Sequence, residues 1–523
     1  MLFLLFLVII FSIPAVQTKL ASIVTKNINE DFGTDIIIKK VDLSLLGTVA
    51  LKEIEIRDHH KDTLIFVDRL RTSLLNAKRV LDNQVDLGSV SMKGINFHLK
   101  TYKGEEDDNL TVFTDKFEDN NPRDSTSNVF LLRTSNIYLE NLNFRQENEN
   151  DKVSLAFAAY NGGGNLQDFK IEGPNVSTQI RGLYFTDNRG VEVTSLKTDF
   201  AYSKEAMLFK NTIVKTPHSY LKAEIRFDYK RENLGNFNEL VELDAVFDKS
   251  YLSVLDLKKL YNELNGNDVL HFTTKLHGSL NNFSATKLRL NSDKGIKIYG
   301  DLNFINAVSQ EDFFFTGDLE YVTADYFKLK NILPNLLGKT LPTEFRRLGA
   351  FSLSGFTKLT PRDIEATLDI DSEVGSFVTD LEIENFDDID EATYEGEIEL
   401  LDFNVGKFFN DPLFGNITFK GEVIEGKGFR IDNINTTLLG EVSKLEFNGY
   451  EYQNISVNGN YANNLFDGKL DVNDPNLKMK FDGLADISDD VNQFDFNANI
   501  TYADLRETNL YTRDSISELE GVI

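Results

Sequence analysis

VALKEIEI, residues Val49–Ile56, returns as VSMKGINF at Val90–Phe97 and as IYLENLNF at Ile137–Phe144. Each copy reads apolar, any, apolar, any, any, apolar, any, apolar. A looser copy, TQIRGLYF, spans Thr178–Phe185; later ones, FRIDNINT and YEYQNISV, span Phe429–Thr436 and Tyr450–Val457. Alternation sends every second side chain to one face of a strand. The extra residue in mid-phrase would flip the faces unless a β-bulge absorbs it. The phrase therefore predicts a long, twisted, bulged strand with one apolar side. That side carries Val49, Leu51, Ile54 and Ile56, then Val90, Met92, Ile95 and Phe97. It continues with Ile137, Leu139, Leu142 and Phe144, then Ile180, Leu183 and Phe185. The opposite side carries Lys, Glu, Asn, Ser and Arg. The second apolar positions, Leu51, Met92, Leu139 and Ile180, lie 41, 47 and 41 residues apart. A near-constant step predicts a repetitive, elongated array and not a globule.

Further strands fit between the copies, at Leu64–Val67, Lys287–Leu290, Lys297–Tyr299, Asp318–Tyr321, Ile364–Ile370 and Lys469–Val472. Turn-forming clusters such as Asn161–Gly164 and Asn265–Asn267 are expected to separate strands. Helical patterns are few. Ser253–Leu264 places Val254, Leu257, Tyr261 and Leu264 on one side, with Gly266 after it, and Phe327–Leu337 is interrupted by Pro334. Neither supplies enough apolar surface to cover such a sheet. The apolar face must be buried by folding over on itself or by something outside the chain. The loop Gly104–Ser127 reads as an exposed acidic excursion, and Asp387–Glu391 as a second acidic knot.

The expected class is mainly β: an antiparallel sheet curled into an open groove, with an N-terminal helix. Residues 1–16 read as a membrane anchor and 17–33 as an amphipathic helix. Residues 34–250 read as the first groove repeats, 251–348 as a β-region with short helices, and 349–523 as continuing groove. The anchor is the charge-free run Leu2–Val16, with Leu4, Leu5, Leu7, Ile9 and Ile10 at its centre. It is shorter than the ~20 residues of a full span, so it reads as a signal-anchor lacking its first residues or as a short cleaved leader. Leu20, Ile23, Val24, Ile28 and Phe32 then fall at helical spacing before Gly33. This stretch would lie at a bilayer surface or pack on the first strands.

Composition narrows the function. The 523 residues hold 55 Lys plus Arg against 83 Asp plus Glu, a net charge of −28, which argues against a nucleic-acid partner. Cysteine is absent, which removes disulfides, thiolate catalysis and Cys-ligated metals. No G-x-S-x-G elbow, P-loop or Rossmann fingerprint occurs, so no catalytic residue is assigned and no cofactor expected. His59 and His60 sit in RDHHKD. Neighbouring side chains are expected to point apart, so the pair reads as a polar turn and no metal ligand is assigned.

Longer phrases resemble the TamB family, within the AsmA-like group of Gram-negative envelope proteins. They are SIPAVQT in the N-terminal segment, FGTDI (Phe32–Ile36), LLGTVALKEIEIRDHHKDTLI (Leu45–Ile65) and VDRLRTSLL (Val67–Leu75). LGAFSLSGF (Leu348–Phe356), LEFNGYEYQNI (Leu445–Ile455) and DPNLKMKFDGLADIS (Asp474–Ser488) extend the likeness along most of the chain. The resemblance implies a single-pass inner-membrane protein with its body in the periplasm. It implies an apolar β-taco groove that moves phospholipid toward the outer membrane, or serves outer-membrane protein assembly and secretion. A barrel protein of the TamA or BamA type would be its partner, through a C-terminal domain lying beyond Ile523. A structural or chaperone scaffold that binds client β-strands without moving lipid is the alternative.

Overall fold

The computed structural model describes residues 33–43, 48–73, 84–116 and 131–523. It leaves breaks at 173–174, 231–232, 234–235, 262–263, 308–311, 333–342, 389, 429–432, 463–464, 487–492 and 514–516. Lys26, Asn29, Glu30 and Leu75 are described besides. The membrane anchor with Leu4, Leu5, Leu7, Ile9 and Ile10 lies outside the described residues. Among those residues no helix is long and apolar enough to cross a membrane. Lys26, Asn29 and Glu30 are helical, and the Asn29 side chain exchanges hydrogen bonds with the backbone of Ile36 at the first strand.

Among the described residues the chain is mainly β, with 27 strands counted in one open sheet and a few short helices. It divides into two compact units, residues 1–260 with 277–280, and residues 261–276 with 281–523.

The first unit holds β1 (Asp35–Leu43), β2 (Thr48–Arg57), β3 (Thr63–Ser73), β4 (Gln84–Leu87), β5 (Val90–Thr101) and β6 (Leu131–Asn148). After them come β7 (Leu155–Glu172), β8 (Asn175–Asp187), β9 (Glu192–Tyr202), β10 (Ala206–Lys215), β11 (Tyr220–Asp228) and β12 (Glu242–Ser253). Neighbours pair antiparallel except at one place. β5 and β6 run parallel, Met92 opposite Leu139 and Ile95 opposite Leu142, and β4 also runs parallel to β6. This corrects the purely antiparallel expectation. The 47-residue step between the second and third phrases is the offset of that parallel pairing, which sets the two phrases side by side in phase. A parallel neighbour needs a crossover, and the polar stretch after β5 belongs to it. That stretch is no mere exposed excursion: Asn109–Asp115 is a helix, and Asn109 is buried.

The mid-phrase kink is present at the backbone, but a bulge proper, with its slip of register, accompanies it only at the β6–β7, β7–β8 and β8–β9 pairings. The fifth residue of each of five phrases has a positive φ: Glu53, Gly94, Asn141, Gly182 and Asn454. At β2, β3 and β5 the interruptions share one level, so the register is kept on both sides of it. At β8 against β9 the register slips between Arg181 and Leu183. A bulge frees a carbonyl, and buried threonines take up several. Thr178 donates to the Gln167 carbonyl, Thr198 to that of Lys210 and Thr212 to that of Phe209.

Two expectations fail. Asn161–Gly164 is no turn but the middle of β7. The glycines suit a crossing too tight for side chains: a Cβ at Gly162 would sit 3.0 Å from the Leu142 carbonyl oxygen, and one at Gly164 2.8 Å from that of Gly182. The Ser253–Leu264 helix shrinks to Val254–Leu257, capped by the Ser253 hydroxyl. Of its supposed stripe only Val254 is buried; Tyr261 is exposed, so nothing holds a longer helix.

The second unit begins with most of β13 (Val269–Gly278). It continues with β14 (Phe283–Ser292), β15 (Lys297–Ile305), β16 (Phe314–Asp325), β17 (Ala350–Leu359), β18 (Ile364–Ser372), β19 (Gly375–Glu384) and β20 (Thr393–Asn404). The last are β21 (Phe414–Lys427), β22 (Asn435–Phe447), β23 (Tyr450–Ala462), β24 (Leu465–Asn473), β25 (Leu477–Asp486), β26 (Phe494–Asp504) and β27 (Glu518–Val522). From β14 onward this is a plain antiparallel meander. Tyr326–Ile332 forms the helix expected from Phe327; the rest of that pattern lies outside the described residues. Of FRIDNINT, residues 429–432 lie outside them too, and β22 starts only at Asn435.

Candidate functional site: the apolar face

Backbone register decides which side chains share a face, because residues directly opposite on paired strands point the same way. In the first unit the phrases fall into common rungs. Val41, Leu51, Leu70, Met92 and Leu139 follow one another across β1, β2, β3, β5 and β6. Ile38, Ile54, Val67, Ile95 and Leu142 make the next rung, and Ile36, Ile56, Ile65, Phe97 and Phe144 the one after. Val90, Ile137, Leu166 and Ile180 form a fourth across β5 to β8. Val49 faces Leu43 and Thr72, Leu183 faces Leu196, and Phe185 faces Val193. All fifteen positions predicted from the phrases are thus placed within one ladder. Val90, Ile95 and Ile137 are buried, and the other twelve are half-buried.

The register also reveals lining residues that the sequence reading missed. β1 and β3 carry the same spacing, as Ile36, Ile38 and Val41 and as Ile65, Val67, Leu70 and Thr72. Lys39–Lys40 and Asp68–Arg69 in mid-phrase mask it. At β7 the rungs meet Ala159, Gly162 and Gly164 in place of large side chains.

The second unit, absent from the predicted lining, is the more continuous. One rung passes from Leu290 through Ile298, Val322, Leu353, Ile370, Phe377 and Leu400. It goes on through Phe419, Val442, Ile455, Val472 and Met479 to Ile500. Every strand from β14 to β26 contributes one residue to it, and every one is apolar. Phe419, Val442, Val472 and Ile500 are buried and the rest half-buried. Phenylalanines add files of their own: Phe283 stacks on Phe304 at 4.8 Å, and Phe304 meets Phe315 at 5.2 Å. In the first unit Phe97, Phe144, Phe157 and Phe185 follow one another at 5.3, 6.1 and 6.4 Å.

The reverse face mixes ion pairs with exposed apolar side chains such as Tyr321, Val378, Leu401 and Leu439. Lys420 pairs with Glu399, Lys469 with Asp482 and Lys480 with Asp471, all on neighbouring strands and largely exposed. Such pairs add little stability, but they keep that face in water. A depression of about 430 Å³ lies on this polar side of β22–β25, beside Glu441, Ser456, Lys469 and Asp482. The acidic knot pairs outward as well, Glu391 with Lys427 and Asp390 with Asn433.

One polar site departs from expectation. The rings of His59 and His60 do not point apart: both reach Glu105, at 2.8 and 2.7 Å. The scattered histidines find carboxylates too, His98 at Glu147 and His271 at Asp293. His277 lies between Glu242 and Asp244, which raise its pKa, Asp244 more strongly.

Comparison of the chain with known protein families, with curated proteins and with solved structures finds no match.

Proposed function

We propose that the apolar face is a track for phospholipid acyl chains, in an envelope protein of the TamB kind anchored in the inner membrane with its body in the periplasm. The unbroken rung from Leu290 to Ile500 carries this reading. A chain that needed only a sealed core would have no use for an apolar side chain on every one of those strands while most of them stay half-exposed. Each exposed acyl CH₂ costs ~0.8 kcal/mol in water, and a continuous strip lowers that cost at every step of a transfer. Contact of this kind has no fixed chemistry, which agrees with a face built mainly of Leu, Ile, Val and Phe. The polar reverse face keeps the same strands soluble. Curling of the sheet into a groove around the strip would deepen the protection.

Photo-crosslinking tests the proposal. A crosslinking residue at Leu353, Phe377 or Ile455 should capture phospholipid in living cells. One at Ser352, Lys420 or Ser456, on the reverse face, should not. Capture of unfolded outer-membrane proteins in place of lipid, or equal capture from both faces, overturns the track in favour of a client scaffold or of no cargo.

A further inference from the structure

At one end of the first ladder, the β2–β3 turn meets the loop that follows β5. The meeting point is a cluster of two imidazoles and a carboxylate. His59 Nε2 lies 2.8 Å from one Glu105 oxygen and His60 Nε2 lies 2.7 Å from the other. One donor atom from each of the three residues lies within 4.8 Å of the other two. Metal–ligand bonds of ~2.0–2.2 Å put the donor atoms of one tetrahedron about 3.5 Å apart. The three atoms need only small ring shifts to share an ion.

We propose that His59, His60 and Glu105 bind a divalent transition ion of the Zn²⁺ class. Two imidazoles and one carboxylate suit zinc and its neighbours, whereas Ca²⁺ and Mg²⁺ prefer oxygen alone. Three protein ligands leave a fourth position for water. The ion ties the β2–β3 turn to the crossover loop, two segments joined here by side chains.

The frame that aims the ligands is already built. Adjacent side chains converge because Asp58, almost fully buried, draws the turn tight. Its carboxylate accepts from the backbone N–H groups of His60 and Asp62, from the Tyr102 hydroxyl at 2.7 Å and from the Asn109 amide at 3.0 Å. The Tyr102 ring then packs against both imidazoles, 3.9 Å from His60 and 5.6 Å from His59. On the other side, Glu105 donates its N–H to the Tyr102 carbonyl, and its own carbonyl accepts from Asn150. His59 Nδ1 is buried without a hydrogen-bond partner. Outer partners of a ligating imidazole are worth about 10–100-fold in affinity, so the site should hold zinc more weakly than one whose imidazoles are both backed, and as an exchangeable ion.

The test uses the full chain, free of affinity tag and stripped with chelator. Titration with Zn²⁺ by calorimetry should show one saturable site, and Co²⁺ should give the visible absorption of a four-coordinate N/O site. His60→Ala and Glu105→Gln should each weaken binding at least ~10-fold, with circular dichroism unchanged. His271→Ala, which removes an exposed histidine–carboxylate pair elsewhere, should bind as the parent does. Absence of a saturable site in the parent overturns the proposal. So does undiminished binding in folded His60→Ala and Glu105→Gln.

Discussion

At the scale of single residues, the ladder depends on polar atoms buried at its bends. Asp474 is fully buried at the β24–β25 turn and accepts from the Tyr450 hydroxyl at 2.7 Å and from the backbone N–H groups of Gln453 and Asn476. Burial, with the Asp474 carboxylate beside it, pushes the Tyr450 phenol up to about 12. The folded state therefore holds a proton there that the unfolded chain releases near its ordinary pKa of ~10. The stabilisation is complete below pH ~10 and disappears as pH climbs through about 12. Tyr450→Phe should cost about 1–2 kcal/mol at neutral pH by denaturant unfolding. It should also flatten the alkaline decline in stability; a parallel decline in parent and variant would contradict the assignment. The same logic applies to the threonines at bulges. Thr198 and Thr212, both buried, share a 2.9 Å hydrogen bond and each satisfies a carbonyl freed by the irregular register. Thr198→Val keeps the shape and strands those groups, so it should destabilise by about 1–3 kcal/mol, measured as a shifted urea midpoint with an unchanged slope.

At the scale of elements, the strands interlock through glycine. At Gly421 an added Cβ would come within 2.4 Å of the Leu439 carbonyl oxygen and 2.5 Å of the Phe419 ring. Gly421→Ala should therefore cost about 1–3 kcal/mol from overpacking, where glycine to alanine in an unhindered strand would be neutral or stabilising. A thermal melt equal to the parent's would show that the ring moves aside freely. Close approaches of this kind explain what the sequence concealed. The kinked phrase was legible because its mid-phrase residue stands among strong apolar neighbours, as at Glu53, Gly94 and Asn141. The Asn161–Gly164 run was misread because a glycine cluster signals a turn locally, and its real cause is crowding by Leu142 and Gly182 on neighbouring strands. The β14–β26 rung was invisible as a unit. Each strand shows only ordinary alternation, and the rung exists only once register is known. The convergence of His59 and His60 on Glu105 likewise depends on Asp58 tightening the turn, and Asp58 draws on Tyr102 in the loop after β5 and on Asn109 at the start of the helix that follows it.

At the scale of the whole chain, the prevailing logic is that of a ladder in which strands contact their ladder neighbours. Stability in such an array is close to a sum of nearest-neighbour terms, so opening at one place need not propagate. The second unit offers the cleanest test, since from β14 to β27 each strand pairs with the next. Leu302 faces Ala285 on β14 and Gly317 on β16. Leu302→Asp places a charge on the apolar face and should loosen β14–β16. Hydrogen exchange should quicken there by at least tenfold, while β23–β25, eight or more strands along, keep their parent rates. A uniform loss of protection across the unit would mean one cooperative core. That outcome would count against a strip whose successive segments serve a passing acyl chain independently, because a cargo that pries one rung open must leave the next intact.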